Sequence, residues 1–272
     1  MNNMIEFRNV SYGYEGVTLL KDVSFTIPEG SFTAIAGENG AGKSTICRLS
    51  AALFRPVKGE VISGGLCTSR EKTARFAKFT GFLFQNPDRQ ICRSTVREEI
   101  AFGLECLDLG TEEREKAVDG ILEEFGFEPD REIFSMGRGE RQMLALASVL
   151  VRRPKLLIAD EPTSGLDAGQ YRTAAEKLRE VHKNGATVLM VTHDMELAEE
   201  LADEMLVAAA GEIKAHASVE EIFSNSAVME GASICRPEMR ELAQMLGGDF
   251  AGDASVDDIV NTIKASKRSG NR

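Results

Sequence analysis

Positive charge is scarce in this 272-residue chain: 32 Lys and Arg stand against 43 Asp and Glu, a formal net charge of −11 at pH 7. Nonspecific nucleic-acid affinity comes from Lys and Arg displacing counterions from phosphates, so this balance argues against steering toward nucleic acid or anionic lipid. Long hydrophobic runs are missing as well. The longest nearly apolar stretches, 143–151 and 187–192, fall far short of the roughly 20 residues that cross a bilayer. The opening MNNMIEFRNV has no basic segment ahead of an apolar one, so no secretory signal is visible and the expected compartment is cytoplasmic. Cysteine is sparse and unpatterned. Cys47, Cys67, Cys92, Cys106 and Cys235 are odd in number and form no CxxC pair, which argues against a disulfide framework or zinc site and for reduced thiols used as small apolar residues. Tryptophan is absent, and no internal repeat, heptad series or low-complexity tract occurs.

What is present is ordinary for a globular domain: 43% hydrophobic and 28% charged residues, with a mean hydropathy of −0.17. At roughly 150 residues per domain, the length suits one large domain or one domain with an appendage. Apolar residues alternate at Ile5, Phe7 and Val10, then at Val23, Phe25 and Ile27 before Pro28-Glu29-Gly30, which predicts a β-rich start. A short apolar strand at 32–36, a glycine-rich loop and an apolar helix at 46–53 follow. Between about 87 and 151 the periodicity is helical. Thr95 and Glu98 form a capping box ahead of Val96, Ile100, Leu104 and Leu107, and Ala117, Val118, Ile121, Leu122 and Phe125 continue at helical spacing.

From 156 the pattern is α/β again: a buried strand at 156–159, a helix at 169–182, a strand at 188–191 and a helix at 195–202. Two runs flanking Gly211-Glu212 read as a hairpin, Ser218 and Glu221 as a capping box, and Pro237 and Gly247 bracket a further helix. Ser255 with Asp258 opens one more, and residues 266–272 are expected to be disordered.

Residues 37–45, GENGAGKST, match G-x-x-x-x-G-K-[ST] through Gly37, Gly42, Lys43 and Ser44, with Glu38, Asn39, Gly40 and Ala41 between and Thr45 after. Glycines let successive N–H groups point inward at a helix N-terminus whose dipole favours anions. A lysine there neutralises the β- and γ-phosphates of a nucleoside triphosphate, and the serine offers its hydroxyl to Mg²⁺. The four fixed positions recur by chance in roughly one chain of this length per hundred. The spacing is not the dinucleotide fingerprint G-x-G-x-x-G. Downstream, Leu156-Leu157-Ile158-Ala159-Asp160-Glu161 is an apolar strand delivering two carboxylates at its carboxyl end, where ligands of open α/β sheets bind. Asp160 suits Mg²⁺ and Glu161 the activation of water; the alternative for two such acids in isolation is a solvated turn.

With these residues in place the chain resembles the ATP-binding subunits of ABC transporters over about 1–215. The ordered set comprises the phosphate loop, Gln85, a signature near 137–142, the strand ending Asp160-Glu161, Ser164-Gly165-Leu166-Asp167 and Thr192-His193-Asp194. That resemblance implies an α/β fold: a P-loop NTPase (RecA-like) core with an N-terminal antiparallel β subdomain, an inserted helical subdomain at about 87–151, and a C-terminal helical dimerisation appendage at 216–265. It implies ATP and Mg²⁺ as cofactors, with Tyr14 stacking on adenine, Gln85 sensing Mg²⁺ or water, Asp167 lining a dimer interface and His193 contacting the γ-phosphate. Tyr12, two residues from Tyr14, leaves the stacking residue open. Gln85-Asn86-Pro87-Asp88-Arg89-Gln90 is similar to the QNPDxQ segment of energy-coupling factor importers. Stretches 220–223 and 234–243 are similar to their C-terminal dimerisation region. By that resemblance a membrane subunit docks near 85–93, and a second ATPase subunit, a paralogue or a second copy, completes a dimer on the cytoplasmic membrane face.

The family signature LSGGQ is altered here to Met136-Gly137-Arg138-Gly139-Glu140, followed by Arg141 and Gln142. The family uses this segment to present a serine hydroxyl and glycine amides to the γ-phosphate on the opposite subunit. Gly137 lacks the hydroxyl, and Ser135 supplies one only if the register shifts by two. The implied function is ATP hydrolysis driving import of a vitamin or metal ion. The alternatives are a soluble ABC-type ATPase working on DNA or ribosomes, for which the long coiled-coil insertion or second cassette is missing, and a regulatory subunit that binds nucleotide with little turnover.

Overall fold

The computed structural model describes residues 2–14 and 16–245, the helix expected at 255 and the tail at 266–272 lying outside that range. In chain order the elements are β1 (Asn3–Tyr14), β2 (Val17–Pro28), β3 (Phe32–Gly37), α1 (Lys43–Ser50), β4 (Lys58–Ser63), β5 (Leu66–Cys67), α2 (Thr73–Ala77) and β6 (Thr80–Leu83). Then come α3 (Val96–Phe102), α4 (Thr111–Phe125), α5 (Arg138–Leu150), β7 (Leu156–Asp160), α6 (Ala168–Lys183), β8 (Thr187–Val191) and α7 (Met195–Leu201). The described chain ends with β9 (Glu204–Ala209), β10 (Glu212–Ser218), α8 (Val219–Ser224), α9 (Ser226–Gly231) and α10 (Glu238–Met245).

Two sheets divide the strands. An antiparallel sheet runs β2-β1-β4-β5, and its first pair has the register the alternation requires: Ile5 faces Ile27, Phe7 faces Phe25 and Val10 faces Val23. The second sheet runs β10-β9-β3-β8-β7-β6 and is parallel from β9 to β6. Its central strands β3, β7 and β8 are buried at every position, because α1 and the first sheet cover one face and helices the other; such strands read in sequence as continuous apolar runs. Ile46 and Leu49 of α1 share one core with Ile5, Phe7 and Ile27 of the first sheet and with Ile158, Leu189 and Leu206 of the second. The helix after the glycine loop is thus clamped between the two sheets.

The middle region is helical as expected, and the capping box at Thr95 and Glu98 is formed. α3 and α4 build their own core around Val96, Ile100, Val118, Ile121 and Leu122. Leu144, Ala147 and Val151 join it from the α5 segment, while Met143, Ala145, Leu146 and Val149 of α5 pack on the sheet core. α5 bolts the helical region to the sheet.

Three details differ from the sequence reading. β4, β5 and the four-residue β6 have too little alternation to be legible. The β9–β10 hairpin turns at Ala210-Gly211 and not at Gly211-Glu212, since both residues have positive φ, 51° and 81°, as a two-residue type I′ turn demands. A division at 215 falls inside β10, and Val219, Ile222, Phe223 and Met229 beyond it share a core with Ala34, Ala36 and Val207 of the sheet.

Phe223 is 2% exposed within that core. Phe223→Ala is expected to cost about 3–5 kcal/mol, the loss typical of a deleted core aromatic. Chemical denaturation of the full chain measures it; a loss under 1 kcal/mol would make the segment after β10 a detachable appendage.

Candidate functional site

The order β3-β8-β7 brings three chain segments to one sheet edge. β8 pairs with β3 through Val191 opposite Ile35, and with β7 through Val191 opposite Asp160. The residues that follow each strand therefore emerge side by side at the carboxyl ends. β6 joins through Leu83 opposite Ala159, which sets Gln85 next to Asp160. A cavity of about 290 Å³ opens there, lined by Asn39, Gly40, Gly42, Lys43, Ser44 and Thr45 of the loop together with Gln85, Asp160, Glu161 and His193. Four separately coded motifs converge on one hollow.

The loop's glycines answer to geometry. A Cβ at Gly37, whose φ is 135°, would stand 1.9 Å from the Ala208 carbonyl oxygen of β9. Gly42 caps α1 at φ 97° with no side chain bonded to the first-turn N–H groups, so those donors are left for an anion. Ala41 N–H donates to the Glu38 carbonyl at 3.3 Å, and Glu38 Oε1 accepts from Ala210 N–H at 3.2 Å, tying the loop to the β9–β10 turn. Lys43 is buried, and its Nζ donates to the carbonyls of Gly37 at 2.7 Å and Glu38 at 2.9 Å. Burial draws its pKa down, against the opposing pull of Glu161, Asp160 and Glu38.

Asp160 is almost wholly buried, and burial raises its pKa while the Ser44 hydroxyl and the charges of Arg48 and Lys43 hold it down. Burial likewise pushes Glu161 up to about 7. Its backbone N–H donates to the Val191 carbonyl at 2.9 Å and its φ is 53°, a left-handed conformation unusual for a non-glycine residue. Glu161 Oε1 is buried without a hydrogen-bond partner, and His193 Nε2 lies 3.5 Å from it. The His193 pKa is lowered by burial and by Lys43, which favours the neutral ring. An unpartnered carboxylate oxygen, a lysine, a serine hydroxyl and a second carboxylate around one hollow fit a triphosphate with a divalent cation.

The remaining expected residues lie away from this cavity. Tyr14 is half-exposed and meets Tyr12 edge-on at 5.0 Å, whereas Tyr12 is buried and stacked on Phe54, so only Tyr14 presents a ring to solvent. Asp167 is the N-cap of α6, its Oδ1 accepting from the N–H groups of Gly169 and Gln170. Gly137 is the N-cap of α5, the place a capping serine takes, and its N–H donates to Glu140 Oε2 at 2.8 Å. Glu140 in turn is gripped by both terminal nitrogens of Arg131. Ser135 sits outside α5, its hydroxyl donating to the Glu132 carbonyl at 2.7 Å, so it does not hold the N-cap position. Gly139 is packed tight, since a Cβ there would lie 2.2 Å from Gln170 Oε1.

Sequence reasoning missed how the segment after Gln85 is held. Gln90 accepts from Phe84 N–H at 3.2 Å and donates to the Ala145 carbonyl at 2.8 Å and to Ser148 Oγ at 3.2 Å. Asp88 accepts from Arg141 Nε at 2.9 Å. The loop that carries Gln85 is therefore fastened to α5, the helix that begins at the signature. The paired polar residues at 88, 90 and 141 were visible, but no local pattern says that they meet.

The family model described as ABC transporter matches residues 20–164. A putative ABC transporter ATP-binding protein of Pyrococcus horikoshii is 36% identical over 263 residues, 96% of this chain and 99% of that protein. An energy-coupling factor transporter ATP-binding protein of Mycoplasma mobile is 37% identical over 248 residues, 89% of this chain and 90% of that protein. The solved structure of cbiO1 from Clostridium perfringens, described as part of the ABC transporter complex cbiONQ, superposes with a TM-score of 0.74. It is 29% identical, over 90% of this chain and all of that one.

Because ionised Glu161 is penalised by burial, the folded protein binds its proton more tightly than the unfolded chain does. Stability is then lost as pH rises from about 4.5 to about 7. Glu161→Gln in nucleotide-free protein is expected to be roughly as stable as the parent at pH 4.5 and about 2–3 kcal/mol more stable at pH 8. Urea unfolding at the two pH values reads the difference, and a pH-independent effect would contradict it.

Proposed function

The chain belongs to the ABC transporter ATP-binding family, and from that membership we propose that it is the ATPase subunit of an energy-coupling factor type importer for a vitamin or metal ion. ATP hydrolysis is the family's activity. What supports a hydrolytic site in this chain is the convergence of Lys43, Ser44, Gln85, Asp160, Glu161 and His193 on one cavity. In this reading Lys43 and the N–H groups of residues 40–45 bind and orient the β- and γ-phosphates. Ser44, Asp160 and Gln85 would hold Mg²⁺, which supplies charge neutralisation on the phosphates. Glu161 accepts the proton of the attacking water at its free Oε1. His193, beside Glu161, contacts the γ-phosphate, and Tyr14 stacks on adenine.

Closure around ATP requires a second ATPase subunit, reached through Asp167 and the signature at Gly137 and Gly139. We favour a paralogue over a second copy. The hydrolytic set of this chain is intact while its signature N-cap is a glycine, so its own ATP would face a better signature and its signature would complete a weaker site. The membrane subunit docks near 85–93 on the cytoplasmic face. The fastening of that loop to α5 through Gln90 and Asp88 would carry closure between the signature and the membrane subunit. Among the described residues no helix is long and apolar enough to cross a membrane, so the transport path belongs to other chains in this reading.

Purification of the tagged full chain from detergent-solubilised membranes is expected to recover an integral-membrane subunit and a second ATPase. Recovery with ribosomes or DNA alone would overturn the transport reading. A Cβ at Gly137 would meet only Glu140 Oε2, at 3.6 Å, so a serine fits. In the purified complex Gly137→Ser is expected to raise turnover at the weaker site roughly ten- to a hundredfold, the worth of one hydrogen bond to a charged phosphate. Single-turnover ATPase assays measure this, and an unchanged rate would argue against the asymmetry.

A further inference from the structure

A second cavity, of about 420 Å³, adjoins the first, and Gln85 and Asp160 line both. Its other polar lining includes Asn86 and three arginines from distant parts of the chain: Arg48 of α1, Arg89 after the Gln85 loop and Arg138 at the start of α5. Among the described residues none of the three guanidinium groups forms an ion pair. Arg48 lies over the Phe54 ring at 5.6 Å, and Arg138 leans against Gly165. The one acidic neighbour outside the nucleotide-facing set, Asp88, is already engaged by Arg141.

Other described arginines, Arg55, Arg114 and Arg153 among them, also lack an ion pair, so what sets Arg48, Arg89 and Arg138 apart is that all three line one hollow. Collecting them costs mutual repulsion, and Arg138 stands in the first turn of a helix, where a cation is disfavoured. An anion relieves both. Guanidinium is the side chain best shaped for phosphate, since its planar fork donates two parallel hydrogen bonds to paired oxygens. Asp160, on the shared wall, is the lining carboxylate that opposes an anion, and the charge of Arg48 acts against it.

We propose that this cavity is a binding site for inorganic phosphate, the anion that hydrolysis of ATP releases next door, with Arg48, Arg89 and Arg138 as its ligands. Phosphate leaving the first cavity past Gln85 passes into a field of three positive charges and is drawn off Glu161 and Lys43. The proposal rests on ATP being cleaved at Lys43 but not on the transport reading. Its test measures binding without turnover, so the failure of one is distinguishable from the failure of the other.

The experiment is equilibrium dialysis of radiolabelled inorganic phosphate against the full-length protein in saturating MgADP. Saturable binding in the millimolar range or tighter is expected, weakened at least fivefold by Arg89→Gln and partly restored by Arg89→Lys. Arg89 is exposed, and MgADP affinity serves as the check that the Arg89 variants are folded, with circular dichroism and urea unfolding as the check for Lys43→Ala. Lys43→Ala should retain the phosphate site. Absence of saturable binding in the parent overturns the proposal, as does abolition by Lys43→Ala, which would place the anion in the glycine loop. Unchanged phosphate affinity in Arg89→Gln together with loss of the co-purifying membrane subunit would assign Arg89 to docking and overturn it as well.

Discussion

The parallel pairing of β3, β8 and β7 is the constraint on which the rest of the molecule depends. Each strand ends in a chemically loaded segment, the glycine loop, Thr192-His193 and Asp160-Glu161, and only this strand order sets the three side by side. A parallel ladder also requires cover on both faces, supplied here by α1 with the first sheet on one and by helices on the other, which is why its strands are uniformly apolar. The core thus makes a rigid shelf, and the loops at its edge inherit that rigidity.

That shelf carries groups that oppose folding. Lys43, Asp160 and Glu161 are withdrawn from water, Glu161 adds a left-handed backbone and an unpartnered carboxylate oxygen, and the first turn of α1 has no side-chain cap. Each of these is unfavourable in isolation, and together they make a hollow of strong, unspent hydrogen-bonding capacity. A triphosphate with its cation supplies the missing partners. The same logic extends to the adjoining arginine-lined hollow, where the uncompensated charge has the opposite sign.

Legibility followed the physics of each signal. The glycine loop was readable because backbone conformation and anion binding restrict residue type at fixed spacing, and the capping boxes at Thr95 and Ser218 because one short hydrogen-bonded motif specifies them. The long antiparallel pair β1–β2 was readable through alternation, with pairings that follow from it. β6 escaped because four residues carry no periodicity, although it is the strand that positions Gln85. The hairpin turn was placed one residue late because glycine is the obvious carrier of positive φ, and Ala210 is not. The role of Gln90 escaped because its partners, Ala145 and Ser148, are more than fifty residues away.

The sequence by itself determined the chemistry of this protein, since a phosphate loop, a strand ending in two acids and a following histidine are each defined by residues close together along the chain. It also determined that α5 begins without a capping hydroxyl, because Gly137 can offer none. The tertiary structure alone decided which of these pieces share a cavity, that Tyr14 and not Tyr12 is open to solvent, and that α5 joins two cores and fastens the Gln85 loop. It alone brought Arg48, Arg89 and Arg138 together. Those outcomes depend on strand order and helix packing, which act between residues far apart in sequence and leave no local pattern behind.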